Sequence, residues 1–161
     1  VLQTPHLFSG TMEENIRFGK LDSTTAEIEE ALRLVGSEEF IPRLQEEVGE
    51  NGENISMGER QLVAFARAII ANPRIFIMDE ATANIDTITE MKIQQGIAEM
   101  LKSRTSIIIA HRLSTIKNCD RILVIKKGEI FEDGSHEELM KQQGKYYELY
   151  TKQLRTETVM I

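Results

Sequence analysis

The chain has 161 residues, of which 41% are hydrophobic and 28% are charged, and its formal net charge is −7. This length and composition fit one domain with a single core and exclude wholesale disorder. The acidic balance disfavours a nucleic-acid partner, because nucleic-acid-binding domains usually carry a basic face.

Helix starts are marked along the chain by Ser/Thr-x-x-Glu capping boxes, in which each residue bonds the backbone of the other. Apolar residues at helical spacing predict helices over residues 26–35, 89–101 and 136–154. We expect Tyr146, Tyr147 and Tyr150 to pack in the last helix, and His136 in its first turn to be solvated. The capping pairs are Thr11 with Glu14, Thr24 with Glu27, Ser56 with Glu59, Thr87 with Glu90, and Ser135 with Glu138.

Short apolar runs at residues 75–78, 106–110 and 122–125 predict strands, and a turn at 126–129 leads into a final strand at 129–132. Because helical patterns separate the first three, we expect a parallel sheet that is covered on both faces. The predicted organisation is a helical region over about 10–72, an α/β region over about 73–135, and a C-terminal helix and tail over about 136–161.

Polar side chains follow two of these strands. Asp79 and Glu80 end the first, at the edge where α/β folds bind ligands, and adjacent carboxylates there are costly unless a cation or a reaction needs them. Asp79 is a candidate Mg²⁺ ligand, and Glu80 a candidate for orienting an attacking water. His111 follows the second strand and is placed to donate to a phosphate. A solvated strand end and a structural histidine are the simpler alternatives.

The helix that Ser56 begins is a candidate anion site, because unpaired amides and the helix dipole favour negative charge there. Gly58 leaves room for a phosphate to approach. An ordinary capped helix explains this element equally well when it is considered alone.

Together, these motifs resemble the ATP-binding cassette (ABC) ATPases in order and spacing. Residues 55–61 resemble the signature motif, 75–80 the Walker B strand with its catalytic glutamate, and 83–86 the D-loop. Gln3 resembles the Q-loop glutamine and His111 the switch histidine, while residues 48–52 resemble a loop that exporters place before the signature. The resemblance covers residues 1–154. It implies the C-terminal portion of an exporter's nucleotide-binding domain, with a P-loop NTPase (RecA-like) parallel sheet and an α-helical signature subdomain.

The resemblance also implies roles for individual residues. Asp79 and Gln3 are expected to contact Mg²⁺, Glu80 to act as general base, and His111 to contact the γ-phosphate of ATP. Ser56 and Gly58 are expected to face ATP held by a second nucleotide-binding domain, and Asp86 to lie at the seam between the two. Transmembrane domains are the other expected partner, at the cytoplasmic face of the membrane. His6 is a surface residue on the simplest interpretation, while Phe8 is expected to contact those domains.

Two departures from the family pattern stand out. The signature usually reads Leu-Ser-Gly-Gly-Gln, whereas this chain has Met57 for a glycine and Glu59 for the glutamine; we expect Glu59 to serve as the capping partner of Ser56. The second departure is that the 161 residues contain no Gly-x-x-x-x-Gly-Lys-Ser/Thr sequence, the phosphate-binding loop of such ATPases. We expect that loop to lie upstream of Gln3. We therefore expect these 161 residues alone to be inactive and to leave apolar surface uncovered. A non-transport ABC ATPase of DNA maintenance and a non-enzymatic pairing fragment remain alternatives.

Overall fold

The computed structural model describes residues 5–79, 91–92, 95–96, 98, 101, 104–110 and 113–159, without the side chains of 113–114 and 155–159. The chain forms two compact units, Val1–Ile109 and Ala110–Ile161. Among the described helices, none combines the length and the apolar character that crossing a bilayer requires.

The first unit begins with helices whose starts agree with the capping boxes. They are α1 (Met12–Arg17), α2 (Thr25–Leu34) and α3 (Met57–Ile70), with two short 3₁₀ helices, Glu38–Arg43 and Glu50–Gly52, between α2 and α3. Each N-cap side chain accepts from the amide of its glutamate, and that glutamate accepts from the N-cap amide, at Thr11, Thr24 and Ser56. The box predicted at Thr87 lies outside the described residues, although Met91, Lys92, Gln95, Gly96, Ala98 and Leu101 are helical as expected.

The core of this unit forms where α1 and α2 pack against α3. The predicted apolar face of α2 is confirmed, since Ile28, Ala31 and Leu32 and the following Val35 are all buried. α3 contributes Leu62 and Phe65, which are fully buried because they occupy the face that meets the other two helices. This packing fixes α3 firmly, and its first turn carries the predicted signature motif.

Strands β1 (Ile75–Asp79) and β2 (Thr105–Ile109) pair in parallel, which confirms the expected strand direction. The described residues do not cover both faces of this pair, contrary to the expectation for the sheet, and the open face agrees with the expectation of uncovered apolar surface. Phe76 and Met78 are buried in the core, whereas the alternate side chains of both strands are exposed by more than half. A uniformly apolar run does not reveal that only one face of a strand is packed. The exposed side chains are Ile75, Ile77, Ile107 and Ile109.

The second unit contains α4 (Leu113–Lys117), β3 (Ile122–Lys126), β4 (Glu129–Gly134), α5 (His136–Gln142) and α6 (Lys145–Val159). β3 pairs antiparallel with β4, so within the described part of this unit it belongs to a hairpin, whereas the sequence predicted a third parallel strand. The single helix predicted at 136–154 is two helices, because Gln143 adopts a left-handed conformation that ends α5.

The start of α6 is stabilised from β4. The Glu132 carboxylate accepts from the amides of Lys145 and Tyr146, and the Tyr146 amide lies 2.8 Å from it. Tyr146 is buried and packs with Leu139, which confirms a packing role for the tyrosine. His136 is only partly solvated, because it is half-buried, its Nδ1 lies 2.7 Å from the Tyr146 hydroxyl and its ring contacts Tyr150.

Candidate functional site

The N-terminus of α3 is capped by two reciprocal hydrogen bonds between Ser56 and Glu59. Ser56 Oγ accepts from the Glu59 amide at 3.2 Å, and Glu59 Oε2 accepts from the Ser56 amide at 2.8 Å. The capping role predicted for Glu59 is therefore confirmed. The first amides of a helix have no partner within it, so this pair leaves the amides of Met57 and Gly58 for an external acceptor.

The residues around these two amides differ in exposure. Ser56 is exposed and Met57 is 38% exposed, whereas Gly58 is buried and has no side chain that could block an approaching anion. The positive end of the helix dipole lies at the same place. The arrangement suits a phosphate oxygen, and it requires neither a metal nor a basic side chain from α3.

Glu59 brings a negative charge to this anion site, and the charge is compensated. Its Oε1 accepts from Arg43 Nη1 at 2.8 Å. Partial burial raises the pKa of Glu59, but the hydrogen bonds from Arg43 and Ser56 outweigh that effect, and the pKa is lowered overall. The carboxylate is therefore ionised near neutral pH, with a cation against one oxygen and an amide against the other.

The loop that precedes the signature is tied to α3. Gly52 has a φ of +77°, and a Cβ there would lie 2.7 Å from Arg60 Cδ and 3.1 Å from Leu7 Cδ1. Glycine is therefore required for both the conformation and the space. Arg60 Nη1 donates to the carbonyl of Asn51 at 3.2 Å, which joins the loop to the first turns of the helix.

Asp79 is the last residue of β1, and the register places it beside Ile109, the last residue of β2. Both strands run in the same direction, so both end at one edge of the sheet. Asp79 is half-buried there. The sequence-predicted Gln3, Glu80, Asp86 and His111 lie outside the described residues. Glu80 directly follows Asp79, and His111 comes two residues after Ile109.

His6 and Phe8 are exposed on a second surface, beside α1 and α3. Phe8 is 40% exposed, stacks on Phe18 with ring centroids 4.3 Å apart, and meets the ring of His6 edge-on. The guanidinium of Arg67 lies 5.4 Å from the centre of the Phe8 ring. His6 is exposed, as the simplest interpretation of the sequence had it.

A cavity of about 470 Å³ opens beside this aromatic group. Its α3 side carries small residues and one arginine at helical spacing, a pattern that the sequence already contains and that could have located it. The lining residues are Pro5, His6, Phe18, Gly19, Ala64, Arg67, Ala68 and Ala71.

Two polar residues that sequence reasoning missed hold this segment. Asn15 is buried, accepts from the amide of Phe8 and donates to the carbonyls of Phe8 and Thr11. Arg67 donates to Asn15 and to the carbonyl of His6. Burial lowers the pKa of Arg67 below its ordinary value, although the guanidinium remains charged. Nothing in their local sequence distinguishes these residues from ordinary polar positions on helices.

Comparisons with known proteins decide the family. Residues 1–83, about half of the chain, match the family model described as ABC transporter. The chain belongs to the ABC transporter family. An ABC transporter ATP-binding/permease protein of Bacillus subtilis, YheH, named as a probable multidrug resistance protein, is 51% identical in an alignment 154 residues long that covers 93% of this chain and 23% of that protein. An ATP-dependent lipid A-core flippase of Syntrophus aciditrophicus is 44% identical in an alignment 163 residues long that covers 99% of this chain and 27% of that protein.

A solved structure agrees. The chain resembles a bacterial Atm1-family ABC exporter with ATP bound, at a TM-score of 0.83 and 40% identity, over 94% of this chain and 27% of that one. The predicted fold class and the recognition of an ABC exporter nucleotide-binding domain, from the Q-loop onward, are confirmed. The chain spans about a quarter of the length of the curated relatives it matches.

Proposed function

We propose that this chain is part of the nucleotide-binding domain that powers export across a membrane by hydrolysing ATP. The observation that carries the proposal is the N-terminus of α3, where Ser56 and Glu59 satisfy each other and the amides of Met57 and Gly58 are left for an anion. Family membership makes ATP the appropriate anion. Ser56 and Gly58 then contact the γ-phosphate of ATP that a second nucleotide-binding domain holds.

The Asp79 carboxylate at the sheet edge is a suitable ligand for magnesium. Among the described residues, no group of three or more His, Cys, Asp or Glu side chains could hold a metal ion. One carboxylate at a strand end nevertheless fits Mg²⁺, which usually takes one or two carboxylates together with substrate phosphates and water. We assign Asp79 and Gln3 to this ion. Bound Mg²⁺ would neutralise charge on the phosphates during transfer.

The remaining roles concern the attacking water and the seam. Glu80, next to Asp79, is the proposed general base that takes the proton of the water. His111 donates to the γ-phosphate, and Asp86 lies where the two domains meet. Their work is positioning and charge stabilisation, which is where the catalysis of phosphoryl transfer comes from.

The aromatic surface is the proposed contact with the transmembrane domains. Phe8 and Phe18 are exposed apolar groups beside a cavity, and exposed apolar surface of this kind marks interaction sites. Relatives that carry ATP-binding and permease functions in one protein supply such a partner. On this proposal the chain works at the cytoplasmic face of the membrane.

Ser56→Arg in the full-length parent tests the proposal, because the longer side chain fills the space of the phosphate. It should abolish ATP-dependent closure of the two nucleotide-binding domains, measured by cross-linking across the seam. Ser135→Arg is the matched control, since Ser135 caps α5 with the same reciprocal bonds. Both substitutions remove a cap contributing about 1 kcal/mol. Equal closure in both variants would reject the role of Ser56.

A further inference from the structure

The acid in the signature motif is the feature that needs explanation. Glu59 stands where the family usually has glutamine, three residues after Ser56 and beside the amides that face the phosphate. A free carboxylate at that place would compete for the positive end of the helix and would repel a polyphosphate. The site is therefore favourable for ATP only if the charge of Glu59 is compensated.

Arg43 provides that compensation, and it is itself held in place. It comes from the 3₁₀ helix Glu38–Arg43, sixteen residues before Glu59. Its Nη1 donates to Glu59 Oε1 at 2.8 Å, while its Nε donates to Glu46 Oε2 at 2.9 Å. The guanidinium lies 5.4 Å from the centre of the ring of Phe40, which is fully buried. The Phe40 ring and the carboxylates of Glu46 and Glu59 together fix the orientation of the Arg43 guanidinium.

The second oxygen of Glu59 is also fixed, because it accepts from the Ser56 amide at 2.8 Å. The carboxylate is thus turned toward its own helix start and toward Arg43. The ion pair is only partly shielded from solvent, because 33% of the Arg43 side chain and 25% of the Glu59 side chain are exposed. The ion pair therefore stabilises the fold modestly, and its main effect is on the electrostatic potential at the helix start.

We propose that Arg43 is a positioning residue for ATP binding: it neutralises and orients Glu59, and so keeps the amides of Met57 and Gly58 attractive to phosphate. This inference rests on the proposed function. Arg43 does not touch the nucleotide and acts through Glu59. Removing Arg43 should therefore lower the affinity for nucleotide, an effect that a salt bridge with only a structural role would not produce.

The test uses the full-length parent transporter and its affinity for the Mg²⁺ complex of adenylyl imidodiphosphate, an ATP analogue that is not hydrolysed. Arg43→Met should raise the half-saturating concentration about tenfold, the size expected for one uncompensated charge near a phosphate under partial screening. The loss should shrink from about 0.1 M to about 1 M salt, where the screening length falls from about 10 Å to about 3 Å. The KM for ATP should rise more than kcat falls.

The decisive variant is the double substitution. Glu59→Gln alone should bind at least as tightly as the unaltered protein. Adding it to Arg43→Met should restore binding to within about twofold, because the uncompensated charge at the helix start is gone, while Glu46, the other carboxylate on Arg43, is 53% exposed and screened by solvent. Arg33→Met is the matched control, since Arg33 is an exposed arginine that pairs with Glu29 and Glu30 on α2. Arg43→Gln replaces Arg43→Met if the latter does not fold, and it should show the same loss.

Each result decides between charge compensation and a purely structural role. Weak binding that persists in Arg43→Met/Glu59→Gln, or a loss that salt does not change, would overturn the inference. Unaltered affinity in Arg43→Met would overturn it as well. If the unaltered protein and Glu59→Gln neither bind nor hydrolyse ATP, the proposed function itself fails, and that outcome is distinct from a failure confined to the Arg43 variants.

Discussion

Asn15→Ala is expected to be among the most destabilising single substitutions in the helical part of this chain. Asn15 is 1% exposed, and its side chain uses both its acceptor and its donor groups. The oxygen accepts from the Phe8 amide and from Arg67 Nη2, both at 2.9 Å. The nitrogen donates to the carbonyls of Phe8 and Thr11 at 2.9 and 3.0 Å. Alanine removes all four bonds, although the Thr11 carbonyl keeps its bond from the amide of residue 15.

The magnitude follows from these four bonds. Three of them join neutral groups and contribute about 1 kcal/mol each, while the bond from the Arg67 guanidinium contributes about 1.5–3 kcal/mol. Their sum, roughly 4.5–6 kcal/mol, is an upper figure, because water that enters the vacated space rebonds some partners. We expect the free energy of unfolding to fall by about 3 kcal/mol, which lowers Tm by about 6–12 °C in a domain of this size.

Thermal and urea unfolding of the complete nucleotide-binding domain measures this loss. Asn54→Ala is the matched control, because Asn54 is exposed and its side chain makes one bond, from Nδ2 to the Glu47 carbonyl at 3.3 Å. The control should lose less than about 1 kcal/mol. If the two variants unfold with the same free energy, the network at Asn15 does not stabilise the segment that carries Phe8.

Glu80→Gln in the intact parent should keep ATP binding and lower turnover about 10²–10⁴-fold, because it removes the proposed general base; near-normal hydrolysis would reject the assignment. Hydrogen bonds from Lys20 and Thr24 lower the pKa of Glu27 to about 2. Its contribution to stability is therefore complete above the unfolded-state value of about 4.3 and is lost as pH falls through the folded value, so urea unfolding should show the cost of Glu27→Gln shrinking between pH of about 7 and about 2. A cost that does not change with pH would contradict this. The 161-residue chain alone should bind ATP weakly, because three missing bonds of a phosphate-binding loop forfeit roughly 4–9 kcal/mol; saturable micromolar binding of a fluorescent ATP analogue, competed by ATP, would show that conclusion to be wrong.

Local chemistry explains what the sequence could predict. A capping box is written within four residues, so the starts of α1, α2, α3 and α5 were predictable, and the structure confirms them. The break between α5 and α6 was not predicted, because it depends on the left-handed conformation of Gln143 and on Glu132, which binds the first amides of α6 from thirteen residues before Lys145. The burial of the strands on both faces could not be predicted for a similar reason. Ile75 and Phe76 are equally apolar in sequence, but only Phe76 meets the helical core.

The same distinction divides the candidate site. The positions of Ser56 at a helix start and of Asp79 at a strand end could be predicted, because these are local features with their own chemistry. Arg43 could not, since its importance depends on a contact with Glu59 that only the packing of the 3₁₀ helix creates. The functional assignments remain predictions from sequence for all of the candidate site residues, Gln3, Ser56, Gly58, Asp79, Glu80, Asp86 and His111.

Helix α3 connects the two functional surfaces that we propose. Its first residues present Ser56 and the free amides to a phosphate, while Ala64, Arg67, Ala68 and Ala71 line the cavity beside Phe18. The helix has fourteen residues, so these surfaces are joined by one element about 20 Å long. Its central face is packed into the core at Leu62 and Phe65, which makes bending costly. On the proposed function, a displacement of the phosphate-facing end would carry the α3 wall of the cavity with it, which would provide a physical route from the nucleotide to a membrane domain.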